Sequence, residues 1–253
     1  MTNESYLREI LDGQDLTENQ KRNIRELRDK IEGQLRNGIK GTPKAYYGGS
    51  YAKNTMIKAS YDLDIVLYWP SDSPYSLESL YRAAEGVLNR NWRTVRKKKV
   101  GLELPFEGDF HIDVIPGKFS SKDENYAYLY NNKTGGRFQT SIYIQVDYVN
   151  KSGRQDVIRL MKLWKKRKNV PIKTFILESC IIEGCKGIDR TKLESQLLAA
   201  FNYLRDSIQN VRIEDPSNSN NIISDDLSKE QKNRVRNLAR QAIEVQYWNQ
   251  VFF

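Results

Sequence analysis

The chain has 253 residues, 39% of them hydrophobic, and 41 Lys and Arg against 32 Asp and Glu give a formal charge of +9. This composition argues against a disordered chain, and no apolar run approaches the ~20 residues of a membrane-spanning helix. Two cysteines, Cys180 and Cys185, and one histidine, His111, cannot supply four zinc ligands from Cys and His alone, and no nucleophile motif accompanies the histidine.

Carboxylates are therefore the candidates for chemistry. The basic balance suits polyanionic partners, from nucleoside triphosphates to oligonucleotides or a longer nucleic acid, without choosing among them. The opening Met-Thr-Asn-Glu-Ser-Tyr lacks the apolar core of a signal peptide. The expectation is a soluble, cytoplasmic protein with no membrane partner.

In chain order, Thr17-Glu18-Asn19-Gln20 reads as a capping box. Ile24, Leu27, Ile31, Leu35 and Ile39 then recur at spacings of three and four, which predicts a long amphipathic helix over 17–39. From 43 to about 149 the period shifts towards two. Ile65-Val66-Leu67-Tyr68-Trp69 is a continuous apolar run, as expected of a buried central strand. A helix over 76–88 follows, and strands are expected over 100–116 and on both sides of Thr134-Gly135-Gly136. Helices are then expected over 154–168, 174–183, 193–208 and 228–247, the last with its own capping box at Ser228. The polar segment 215–226 reads as a loop. Cys180 and Cys185 fall in a helical stretch and read as plain buried thiols. The pattern is an α+β lobe, 1–150, followed by an all-helical lobe, 151–253.

Asp62 and Asp64 stand at the mouth of the apolar run, and strand alternation places both on one face about 7 Å apart. Such a pair repels itself unless a cation neutralises it, and Mg²⁺ favours carboxylate oxygens together with substrate phosphates. By itself an Asp-x-Asp reads as readily as a solvated strand end. Gly48-Gly49-Ser50 lies twelve residues earlier; glycine lets backbone N–H groups approach a phosphate, and serine adds a hydroxyl. Asp113 sits within Phe110-His111-Ile112-Asp113-Val114-Ile115-Pro116, and an unpaired carboxylate in a buried strand requires a cation or donors. On a neighbouring strand it completes a three-carboxylate cluster.

Gly49-Ser50, Thr55, Asp62-x-Asp64 before an apolar strand, and Asp113 in His-Ile-Asp-Val-Ile-Pro resemble the polymerase β-like nucleotidyltransferase pattern. Leu160-Met161-Lys162-Leu163-Trp164 resembles the Leu-x-Lys-x-Trp helix of 2′-5′ oligoadenylate synthetases and their bacterial relatives. Thr174-Phe175-Ile176-Leu177-Glu178 resembles the Ser-Phe/Tyr-x-Leu-Glu helix start of cyclic GMP-AMP synthase-like enzymes (CD-NTases), with Thr for Ser. Asp215-Pro216 with Asn220-Asn221 resembles their Asp-Pro…Asn loop. The resemblance spans nearly the whole chain.

It implies a nucleotidyltransferase sheet lobe with an N-terminal spine helix and a C-terminal helical lobe that closes the nucleotide cleft. It also implies two Mg²⁺ ions, or Mn²⁺ in their place, held by catalytic Asp62, Asp64 and Asp113. Gly49, Ser50, Lys162 and Thr174 would bind the phosphates, and Phe175 would stack on a base. Lys162 also reads as one of the solvated lysines of a basic run, Phe175 as core, and His111 as a polar side chain at the sheet surface. The implied activity joins nucleoside triphosphates, ATP or dATP, into cyclic or linear oligonucleotides with pyrophosphate release, as a bacterial antiphage signal acting on an effector protein. The alternative is transfer to a tRNA, protein or small-molecule acceptor. The zinc-binding insertion that senses duplex DNA in the animal enzyme has no counterpart, which argues against activation by double-stranded DNA.

Overall fold

The structure is a computed structural model and describes residues 2–108 and 110–253. A helix precedes the one that the apolar stripe predicts. It is α1 (Asn3–Asp12), capped by the Thr2 hydroxyl, and it buries Leu7, Ile10 and Leu11. α2 (Glu18–Gly38) follows the expected capping box, in which Thr17 and Gln20 each satisfy the other's N–H group. Ile24, Ile31 and Leu35 form its buried stripe.

One unit of the structure holds Leu16–Ala52 and Tyr61–Val146. Its strands are β1 (Lys44–Tyr47), β2 (Leu63–Trp69), β3 (Arg96–Lys97), β4 (Leu102–Pro105), β5 (His111–Phe119), β6 (Ala127–Tyr130) and β7 (Arg137–Thr140), with α3 (Gly49–Ala52) after β1 and α4 (Leu77–Asn91) after β2. Their order is β1-β2-β5-β4-β3, with β6 on β5 and β7 on β6. β2 and β5 run parallel, so two carboxylate-bearing strands lie side by side. β2 is buried on both faces, as its apolar run predicts. α2 and α4 pack on each other and against β2 and β5. On the opposite face Val66, Tyr68, Phe119, Ala127 and Leu129 form a separate apolar cluster.

The second unit holds the chain up to Asp15, Lys53–Ser60 and Asp147–Phe253. Its helices are α5 (Ile142–Ser152, which begins in the first unit), α6 (Gln155–Arg167), α7 (Thr174–Gly184), α8 (Leu193–Ser207), α9 (Lys229–Glu244) and α10 (Asn249–Phe252), with strands β8 (Glu214–Asp215) and β9 (Asn218–Ile222) before α9. Val157, Met161 and Trp164 of α6 are fully inside, and Trp164 meets Phe201 edge-on at 5.0 Å. The sequence segments 1–150 and 151–253 thus differ from the units of the structure. Leu7, Ile10, Leu11 and Ile57 belong to the apolar core of the helices, and they carry the segments around them into that unit.

Two local expectations need correction. Residues from 142 onward are helical, although Ile142-Tyr143-Ile144 has strand-like composition. The Ser141 hydroxyl accepts from the Ile144 N–H and starts the helix. The segment 215–226 is a hairpin followed by a short 3-10 turn. Buried Asp215 organises it, accepting from the Ser217 N–H at 2.9 Å and the Ser217 hydroxyl at 2.7 Å, so a polar sequence with no apolar alternation still folds.

Both cysteines are free and buried. Burial pushes the Cys180 thiol up to about 12 and the Cys185 thiol up to about 11. Since the thiolate is the reactive form, a maleimide at pH 8 should leave both thiols unlabelled in the native protein and label both after unfolding. Mass spectrometry reads the difference.

Candidate active site

Strand register brings the sheet carboxylates together. Asp64 on β2 is the Cα partner of Asp113 on β5, and Asp113 is the partner of Glu103 on β4. Directly opposed residues share a face, so Asp64, Asp113 and Glu103 form one row across three strands. Asp62 lies just ahead of β2 and accepts from His111 Nδ1 at 2.9 Å. His111 is therefore tied through Asp62 to the carboxylate cluster.

The cation that the partly buried Asp113 has beside it is Lys98. Its Nζ donates to both Asp113 oxygens at 2.8 Å and to Glu103 at 2.9 Å. Burial pulls the Lys98 ammonium down, but its bonds to Asp113 and Glu103 outweigh this and raise it. The same bond from Lys98 lowers the Glu103 carboxyl. Glu103, His111 and Asp113 each present a donor atom within 4.8 Å of the others. Sequence reasoning missed Glu103 and Lys98. The signal for Glu103 was Leu102-Glu103-Leu104, where alternation buries the leucines on the opposite face.

Gly49 shows why the turn after β1 is glycine. Its φ is +52°, and a Cβ there would stand 1.7 Å from Asp64 Oδ2. The Gly48 N–H donates to the Asp64 carbonyl at 2.8 Å, so the Gly48-Gly49-Ser50 turn is seated on Asp64, and Ser50 is half-buried in α3. Hard oxygen donors in a row, with an ammonium already standing as a cation on Asp113, fit a divalent metal.

The helical unit has its own basic pocket. A cavity of about 380 Å³ is lined by Ser60, Lys162, Lys165, Lys166, Asn169 and Thr174, among others; this is within the size range of small-ligand sites. Lys162 is buried and donates from Nζ to the Thr55 carbonyl at 2.9 Å. Lys165 donates to the Thr174 hydroxyl at 2.8 Å. Thr174 opens α7, whose first N–H groups carry the positive end of the helix dipole.

Phe175 does not line this cavity. It is partly buried against the helical core, meets Tyr148 edge-on, and has Lys53 Nζ 4.3 Å from its ring centroid. Lys53 is itself paired with Glu178 at 2.8 Å, both groups being buried, and the Thr55 hydroxyl donates to the same carboxylate at 3.4 Å. Phe175→Ala should therefore cost stability, towards the ~3–5 kcal/mol of a buried ring. Phe175→Leu, which restores volume, should recover the melting temperature without recovering stacking worth ~1–3 kcal/mol. Nucleotide affinity at wild-type level in Phe175→Leu would leave the ring as core alone.

No protein-family model matches the sequence, and no curated protein does either. Solved structures do. CdnC of E. coli MS115-1 with ATP superposes with a TM-score of 0.77 at 20% identity, covering 99% of this chain and 98% of that one. DncV of Vibrio cholerae, a cyclic AMP-GMP synthase, gives 0.80 at 14% identity, covering 96% and 92%. The Bradyrhizobium diazoefficiens CD-NTase CdnG in complex with GTP gives 0.74 at 14%, covering 99% and 95%. At these identities the likeness is one of architecture, and it runs through nearly the whole of each chain. The chain has the DncV-like nucleotidyltransferase fold of the CD-NTases.

Proposed function

We propose that this chain is a metal-dependent nucleotidyltransferase that joins nucleoside triphosphates, ATP or dATP first, into cyclic or linear oligonucleotides. The product would act as a signal to an effector protein in bacterial antiphage defence. The observation that carries the reading is the in-register row of Asp64 and Asp113 on adjacent parallel strands, with Gly49 pressed against Asp64. Support comes from the similar structures, among them DncV with the linear intermediate 5′-pppA(3′,5′)pG.

Two Mg²⁺ ions, or Mn²⁺, would be held by Asp62, Asp64 and Asp113 and would supply charge neutralisation at the attacking and leaving oxygens. In the reaction an acceptor ribose hydroxyl attacks the α-phosphorus. A P–O bond forms, the bond to the bridging oxygen breaks, and its electron pair leaves with pyrophosphate. Asp113 takes the hydroxyl proton. Gly49 and Ser50 hold phosphate oxygens through backbone N–H and hydroxyl groups. Lys162 meets phosphate as a point charge. An ammonium donates only, so Thr174 accepts from Lys165 and its own O–H is left to donate to phosphate.

The test is pyrophosphate release from ATP, dATP and the other nucleotides, singly and in pairs, with Mg²⁺ and no other acceptor. One pyrophosphate per phosphodiester bond formed is expected. Release only when tRNA, protein or an antibiotic is added would replace this reading with transfer to a separate acceptor.

A further inference from the structure

Asp113 is already engaged. Both of its oxygens accept from Lys98 Nζ at 2.8 Å, and the same ammonium reaches Glu103 at 2.9 Å. The Asp113 and Glu103 side chains are 19% and 15% exposed, and their strands are paired at these two residues. The Lys98 backbone is fixed: its N–H donates to the Gly101 carbonyl at 2.9 Å, and its carbonyl accepts from the Tyr81 hydroxyl at 3.2 Å. Its four-carbon stem still lets the ammonium move. The preceding Lys97 is different, being paired with Glu85 at 3.2 Å.

A divalent cation that takes Asp113 oxygens meets the Lys98 charge at the same atoms, where like charges in a partly buried place repel strongly. Lys98 must then give up Asp113, and Glu103 is the carboxylate beside it that can keep the ammonium. The exchange swaps hydrogen bonds and ionic contacts and makes or breaks no covalent bond.

We propose that Lys98 is a displaceable counter-ion that neutralises Asp113 until metal binds and is then retained by Glu103 alone. Glu103 thereby sets the metal requirement as a positioning residue and not as a ligand. The proposal rests on the reading of Asp62, Asp64 and Asp113 as the metal site.

The test is a titration of the full chain with Mg²⁺, and separately Mn²⁺, without nucleotide, read as the shift in melting temperature, because a ligand that binds the native state stabilises it. Lys98→Met should lower the half-maximal metal concentration on the order of tenfold, as expected when a charge-assisted competitor is removed. Lys97→Met, which removes an equal charge nearby, should move it less than about twofold, as Lys97 is paired with Glu85 and not with a carboxylate of the row. Glu103→Gln should raise it, because Lys98 then depends on Asp113. In the Lys98→Met background Glu103→Gln should lose most of that effect.

Equal responses from Lys98→Met and Lys97→Met would overturn the proposal, as would an undiminished loss from Glu103→Gln in the double variant, which would make Glu103 a ligand. Should Lys98→Met fail to fold, Lys98→Gln, which keeps a hydrogen-bond donor without the charge, takes its place in the single and double variants. A wild-type shift that Asp64→Asn abolishes, with Lys98→Met unchanged, would remove the counter-ion role and keep the metal site. A wild type with no metal-dependent shift, equal to Asp64→Asn, would remove both.

Discussion

Asn in place of both Asp62 and Asp64 should end metal-dependent pyrophosphate release while leaving the protein folded. Metal stabilisation of charge in phosphoryl transfer is worth several kcal/mol, and each ~1.4 kcal/mol is a tenfold change in rate. The loss should therefore be on the order of 10³-fold or more. The fold should survive for two reasons. Asp62 and Asp64 lie at the mouth of β2, with the fully buried Leu63, Ile65 and Leu67 untouched, and the substitution removes like-charge repulsion in the metal-free protein. An Asn at position 62 still offers His111 an oxygen for the bond it now makes to Asp62. Release assays beside circular dichroism check both halves. Turnover near the wild-type rate in a folded double variant would end the carboxylate account.

The second large effect is expected from Gly49→Ala. Alanine at φ +52° carries ~1–2 kcal/mol of left-handed strain. Its Cβ would also stand 1.7 Å from Asp64 Oδ2 and 2.7 Å from Asp64 Cγ. The carboxylate must turn away or the Gly48-Gly49-Ser50 turn must move, and either change unseats Asp64. Activity should fall nearly as far as in the aspartate variants, with stability reduced by only a few kcal/mol, as is usual for one strained backbone position. Gly135→Ala is the matched control. Its φ is +72° with nothing within 4 Å of the added Cβ, so it should show the strain cost and keep its activity. If the two alanine variants lose activity equally, strain alone explains Gly49 and its contact with Asp64 is incidental.

The carboxylates were legible because their signal is local. Asp62 and Asp64 alternate beside an apolar run, and Asp113 is a lone charge in another, so each is anomalous within its own few residues. Lys98 carries no such mark, since it lies in the Arg93–Lys99 run, where a lysine reads as a solvated strand edge. Its partner Asp113 is 15 residues away, and only the β3–β4 turn together with the β4–β5 register makes them neighbours. Lys53 and Glu178 are hidden in the same way, 125 residues apart, although Glu178 stands in a recognisable motif. Helices with long stripes, α2 and α9, are predicted together with their capping boxes. α1 shows its period in only three residues, Leu7, Ile10 and Leu11, and α5 has β-branched and aromatic residues that imitate a strand. In α5 tertiary burial overrides local preference, with Val149 fully enclosed in the helical core, as Leu7 of α1 also is.

The central claim is tested most directly by the chemical identity of the product. Purified protein, Mg²⁺ and nucleoside triphosphates alone should yield, by mass spectrometry, species of two or more nucleotides joined by phosphodiester bonds, and the Asp62→Asn, Asp64→Asn variant should yield none. Nucleotides recovered intact, or hydrolysed without any joined species, would contradict the account.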